Sequence, residues 1–217
     1  MTVSIVSLAA RGEDEIAVCF EIRSGEHLQK QSFTVSAAAV ADLRLQTGAC
    51  DRELYDAVAH ESSIFSAVKK GLYLLGFGRC SEKALCRKLM AKGIDREIAT
   101  EAVGELSRRG YLNAENDAKR EAERQAAKLW GRRRIAAALF EKGYEQTAIV
   151  GALDALEDEG IDYIELCSER LRRTMRELPC EPDAKRKLMA SLERCGFSRD
   201  EIREAWKIIC RENSEKN

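Results

Sequence analysis

Gly131-Arg-Arg-Arg-Ile135-Ala-Ala-Ala-Leu139-Phe-Glu-Lys-Gly143-Tyr144 is one of three segments of this chain built to a single pattern. Ser81-Glu-Lys-Ala-Leu85-Cys-Arg-Lys-Leu89-Met-Ala-Lys-Gly93-Ile94 comes before it, and Ala184-Lys-Arg-Lys-Leu188-Met-Ala-Ser-Leu192-Glu-Arg-Cys-Gly196-Phe197 comes after. The shared glycines stand 50 and 53 residues apart. Eight positions ahead of each glycine lies Leu85, Ile135 or Leu188; four ahead lies Leu89, Leu139 or Leu192. Beyond it the match continues with Ala102, Ala152 and Ala205, then Val103, Leu153 and Trp206, then Leu106, Leu156 and Ile209. Apolar residues at this spacing predict two helices packed through those faces. The glycine suits the left-handed residue that ends the first of them. Ser198 followed by Glu201 spells a capping box at the start of the last helix.

A third helix precedes each pair. Ser63–Leu75 puts Ile64, Phe65, Val68, Leu72 and Leu75 on one face. Ala118–Trp130 repeats this with Ala118, Ala122, Ala126, Leu129 and Trp130, and Asp162–Leu178 with Ile164, Cys167, Leu171 and Leu178. Pro179 and Pro182 fall between helices, where they damage no helix interior. The fold class that follows is mainly α: a tandem array of three three-helix repeats, helix-turn-helix-like, over residues 62–113, 114–160 and 161–211. A disordered tail is expected over 212–217. Units this small must stack to bury a core.

Residues 1–61 read differently, as a small β-rich α+β extension. Ile16, Val18, Phe20 and Ile22 alternate with Ala17, Cys19, Glu21 and Arg23, the period of a half-buried strand. Val3–Leu8 and Leu28–Val35 flank it across turn-like segments, giving a three-stranded meander. Helices at about 36–46 and 50–60 are its expected cover.

Composition bounds the rest. The 217 residues are 45% apolar and 34% charged, with two prolines and two histidines. No apolar run approaches the ~20 residues of a membrane span, and Met1–Ala10 has no basic start, so a cytoplasmic protein is expected. The eight cysteines form no CxxC pair; they read as small hydrophobes in a reducing compartment, with no metal and no cofactor implied. Both histidines lie in the extension, and no phosphate loop or nucleophile elbow appears, so no catalytic residue is assigned.

The net charge of −1 hides an uneven distribution. Residues 1–60 hold five basic and nine acidic side chains, Lys119–Arg134 holds seven basic and two acidic, and Glu145–Glu169 is almost purely acidic among its charges. Arg120, Arg124 and Lys128 recur every four residues as a basic stripe, and Arg132, Arg133 and Arg134 carry it into the next helix start. Cations there oppose the helix dipole, which points either to an acidic or phosphate-bearing partner or to a solvated face with Glu121 and Glu123 as partners. Arg170, Arg172, Arg173 and Arg176 form a second cluster diluted by acids. Trp130 and Trp206 occupy periodic apolar positions and are assigned to the core.

Leu74-Leu-Gly-Phe-Gly-Arg79-Cys-Ser81-Glu82, Arg109-Gly110-Tyr111-Leu112-Asn113 and Lys128-Leu-Trp-Gly131-Arg-Arg-Arg134-Ile135, leading to Glu141-Lys142-Gly143, resemble the RecX family of regulatory proteins over roughly residues 64–211. Asn113, Ala114 and Asp117 stand where that family shows two acidic residues and an aromatic. The resemblance implies a non-enzymatic protein that binds the RecA–single-stranded-DNA filament and dampens its ATP hydrolysis, strand exchange and co-protease activity. The residues assigned to partner binding are Arg120, Arg124, Lys128, Arg132, Arg133, Arg134, Arg172 and Arg173, on a monomer. The competing expectation is a direct DNA binder that neutralises phosphates through helix-turn-helix-like repeats.

Overall fold

A computed structural model of the chain describes residues 2–174 and 181–215. They form two compact units, one of residues 2–79 with 85–111 and one of 80–84 with 112–174 and 181–215.

In the first unit, β1 (Thr2–Ala10), β2 (Ile16–Ser24), β3 (His27–Val35) and β4 (Gly48–Cys50) make an antiparallel sheet in the order β3-β2-β1-β4. Of the face read as buried in β2, Val18 and Phe20 are fully buried, opposite Phe33 and Gln31 on β3, and Ile16 and Ile22 partly so; Ala17 of the other face is buried as well. β4 is an addition to the expected meander; three residues are too few for a periodic signal, and pairing with Val3–Ile5 of β1 creates it. Ser36 caps α1 (Ala37–Asp42) by accepting from the Ala39 N–H. The two helices expected over 50–60 and 63–75 are one helix, α2 (Arg52–Gly76), capped by the Asp51 carboxylate. Ser62 and Ser63, which look like a new start, are spent elsewhere. Ser62 accepts from the Thr34 N–H of β3, and Ser63 donates back to the Ala59 carbonyl. Phe20, Phe33 and Tyr55 meet edge to face at 5.0–5.8 Å where α2 covers the sheet. Further along, Gly71 lets α2 approach α4 (Arg96–Arg108): a Cβ there would stand 2.6 Å from Leu106 Cδ1. Leu85 and Leu89 of α3 (Glu82–Met90) are fully buried.

The second unit continues with α5 (Ala114–Ala126), α6 (Arg132–Glu141), α7 (Gln146–Asp158), α8 (Tyr163–Thr174), α9 (Pro182–Arg194) and α10 (Arg199–Glu215). Residues 212–215 belong to α10, so the expected tail is helical through Glu215, while 216–217 lie outside the described residues. Arg176, Leu178 and Pro179 also lie outside them. Pro182 opens α9, where a missing N–H costs nothing. One core gathers Ala118, Ala122, Ala126, Ile135, Leu139 and Leu156; another gathers Cys167, Leu171, Leu192, Phe197, Ala205 and Ile209. Cys167 packs there as a small hydrophobe, and burial pushes its thiol up to about 12.

The repeat glycines do what their spacing predicts. Gly93, Gly143 and Gly196 have φ of +82°, +88° and +93°. In each case the next residue donates back to the apolar residue four before the glycine: Ile94 to Leu89 at 3.3 Å, Tyr144 to Leu139 at 3.2 Å, Phe197 to Leu192 at 3.3 Å. This closes a helix end through a backbone bond and an apolar contact together. The capping box is reciprocal: Ser198 Oγ accepts from the Glu201 N–H at 3.2 Å, and Glu201 Oε2 accepts from the Ser198 N–H at 2.7 Å.

Candidate partner-binding surface

The sequence-assigned cations lie on α5, α6 and α8 of the second unit. Asn113 caps α5 through its side chain, and the buried face of that helix is Asp117, Ala118, Glu121, Ala122, Gln125 and Ala126. The opposite face leaves Arg120 and Arg124 exposed, and Lys128, just past the end of the helix, is exposed as well. Arg120 has no side-chain partner among the described residues. Arg124 reaches Glu121 at 2.6 Å, and Lys128 Nζ donates to Gln125 Oε1 at 3.2 Å.

A polar row inside α5 escaped the sequence reading. Glu121 is almost fully buried, and burial raises a carboxyl's pKa, yet Lys142 at 2.7 Å, Gln125 and Arg124 outweigh that and hold it below the usual range. Lys142 caps the end of α6, so this buried carboxylate joins two helices. The residue pattern carried a signal for it, since Glu121 follows Asp117 at one turn and precedes Gln125 at the next.

The three arginines that open α6 have internal employment. Arg132 bridges Asp154 at 3.1 Å and Glu157 at 2.6 Å on α7. Its burial lowers the guanidinium pKa, but those carboxylates raise it further. Arg133 Nη2 donates to the Phe197 carbonyl and Arg134 Nη1 to the Arg194 carbonyl, at 3.2 and 3.3 Å. Beneath them the backbones touch: the Gly131 N–H donates to Cys195 O at 2.8 Å, and the Arg133 N–H to Gly196 O at 3.2 Å. The start of α6 therefore abuts the carbonyl end of α9. The cations that oppose their own helix dipole complement that of a neighbour. Arg170 does likewise, donating to the Lys128 and Leu129 carbonyls at the end of α5.

Arg172 spans Glu165 on α8 and Glu212 on α10 at 2.9 and 2.6 Å, contacts that raise its pKa, while Arg173 pairs with Glu169 at 2.8 Å. The structure thus gathers Lys128, Arg133 and Arg134 around Trp130 and keeps Arg172 and Arg173 in a separate acidic network. Trp130 and Trp206, assigned to the core by periodicity, are only half buried. Arg134 lies 4.1 Å and Lys128 5.4 Å from the Trp130 ring, and Lys185 lies 4.7 Å from the Trp206 ring. The visible signal was Arg134 four residues past Trp130, with Trp130 in the connection between α5 and α6.

This architecture defines a class: a tandem three-helix-repeat protein with an N-terminal four-stranded sheet and charged helical surfaces. No family model matches the chain. The regulatory protein RecX of Stenotrophomonas maltophilia (strain K279a) is 33% identical over 139 residues, 64% of this chain and 83% of that protein. RecX of Chlorobaculum tepidum is 34% identical over 158 residues, 70% of this chain and 93% of its own. A crystal structure of regulatory protein RecX superposes with a TM-score of 0.72 at 20% identity, covering 93% of this chain and 99% of the other. RecX from Lactobacillus salivarius superposes at 0.56 and 21% identity over 67% of this chain and 95% of its own. The chain belongs to the RecX family of regulatory proteins. No helix among the described residues is long and apolar enough to cross a membrane.

Proposed function

We propose that this chain binds the RecA–single-stranded-DNA filament and dampens its ATP hydrolysis, strand exchange and co-protease activity, acting as a monomer in the cytoplasm. Family membership carries this reading, and the exposed cations of α5 support it. Arg120, Arg124 and Lys128 meet the filament directly, with Arg133 and Arg134 beside them. Arg132, Arg172 and Arg173, each held by carboxylates, fix the shape of the surface that docks. The test is the DNA-dependent ATPase of RecA with substoichiometric amounts of this protein added, paired with co-sedimentation. A lowered rate and joint pelleting are expected; an unchanged rate with no pelleting refutes the proposal. Tight binding to naked DNA at physiological salt without RecA supports the competing direct-binding reading instead.

A further inference from the structure

Two clefts open side by side on the second unit, and each contains one of the chain's two tryptophans. The first, about 420 Å³, lies between α6 and the end of α9, with Trp130, Ala137 and Ala138 as its apolar lining and Arg133, Arg134 and Arg194 around it. The second, about 320 Å³, lies between α9 and α10, with Trp206 as wall and Met189 and Ile202 as floor. Lys185, Arg199, Arg203 and Lys207 surround this second cleft. Glu193 lines both, so the two adjoin at α9. Lining residues supply seven cations against the carboxylates of Glu141 and Glu193. Glu193 is taken up by Arg199 at 2.9 Å, and Asp200 and Glu204 nearby pair with Arg203 and Lys207. Arg194 and Lys185 have no carboxylate partner among the described residues.

We infer that this double cleft takes an acidic peptide segment of a partner protein, with apolar side chains seated on the apolar lining beside Trp130 and Trp206 and carboxylates on the surrounding cations. Three observations favour a peptide over nucleic acid. The tryptophan rings already carry cations, Arg134 on one and Lys185 on the other, which occupies the stacking face that a base needs. The apolar lining offers seats for side chains such as leucine, which a sugar-phosphate backbone does not carry. Glu141, Glu193, Asp200 and Glu204 interrupt the positive potential, which suits spaced carboxylates better than a continuous polyanion. The inference deepens the filament reading and rests on it for the choice of partner, because it names the protein chemistry that this face would engage.

The experiment uses intrinsic tryptophan fluorescence of the full chain, since both reporters sit in the clefts. The probe is an acetylated peptide of about twelve residues, glutamate with leucine at every fourth position, and the comparison is an oligothymidylate of about twenty nucleotides. A saturable emission change with the peptide, reduced in Trp130→Phe and again in Trp206→Phe, is expected. Lys185→Glu with Arg203→Glu, both at exposed positions, should weaken the peptide's Kd about tenfold or more while leaving the circular dichroism unchanged. No emission change up to roughly 100 μM peptide overturns the inference. So does a Kd that the double charge reversal leaves unaltered. So does an oligothymidylate that displaces the peptide, which would reassign the clefts to nucleic acid. Filament co-sedimentation of the same variants separates the two claims. Pelleting without peptide binding removes the cleft assignment alone, and peptide binding without pelleting removes the filament reading alone.

Discussion

Gly131 and Gly196 meet where α6 abuts α9, and replacing either one by alanine tests that contact quantitatively. A Cβ on Gly196 would stand 2.4 Å from the Arg134 nitrogen and 2.5 Å from its Cβ, and one on Gly131 would stand 2.4 Å from the Gly196 carbonyl carbon. These obstacles are mostly backbone, so no rotamer change relieves them. Gly160 supplies the control. It ends α7 with the same backbone closure and a φ of +90°, yet a Cβ there meets nothing within 4 Å. Gly160→Ala should cost only the left-handed conformation, ~1–2 kcal/mol. Gly131→Ala has an ordinary φ of −75° and should cost only the clash, ~1–3 kcal/mol. Gly196→Ala incurs both, about 4 kcal/mol in sum. Both tryptophans lie in the second unit, so urea unfolding followed by their fluorescence reads the unit concerned. The gap between Gly196→Ala and Gly160→Ala corresponds to a midpoint difference of roughly 1–2 M urea. If the two variants unfold within experimental error of one another, the close approach of the helices is absent and the reasoning fails.

Glu121→Gln should destabilise the protein by about 1–3 kcal/mol at neutral pH, because Lys142 and Arg124 then lose their carboxylate. The folded pKa of Glu121 is depressed, so its contribution is present above the unfolded value near 4.3 and fades as pH falls through the lower folded one. Stability measured from pH 6 down to 3 should therefore fall less steeply in the variant, and parallel curves would contradict the assignment. Tyr144 is buried beside Asp117 and Glu121 and pushed up to about 12. An ultraviolet titration of the five tyrosines should show one ionising near there, and a Tyr144→Phe variant should lack that step. Arg132→Ala, on a partly exposed pair of contacts, should cost only ~1 kcal/mol and less in high salt. Arg120→Glu should weaken filament co-sedimentation several-fold while leaving the urea midpoint of the second unit nearly unmoved.

The repeats were legible because each glycine fixes a local event, a left-handed helix end, whose apolar partner lies only four residues away. The strand alternation of Ile16–Ile22 was legible for the same reason. What the chain kept hidden depends on encounters between distant segments. Nothing near Gly131 announces that Cys195 and Gly196, more than sixty positions later, will receive its N–H and that of Arg133. The three arginines therefore looked like a surface seeking a partner. The helix break expected near residue 61 failed because Ser62 is claimed by a β3 backbone group. Trp130 and Trp206 followed the apolar period but stand at its margin, where Arg134 and Lys185 cover them.

The continuous α2 helix ties the sheet to the first repeat by angular phase. Its first half sets Val58 into the core of the sheet, and its second half sets Val68 and Gly71 against the repeat, so one rod about 37 Å long indexes both. One residue inserted near Glu61 would rotate one half against the other by ~100° and carry Gly71 away from Leu106. Exchanging the sheet for another module thus demands a splice in whole turns, which leaves few lengths of chain at which such a graft can succeed.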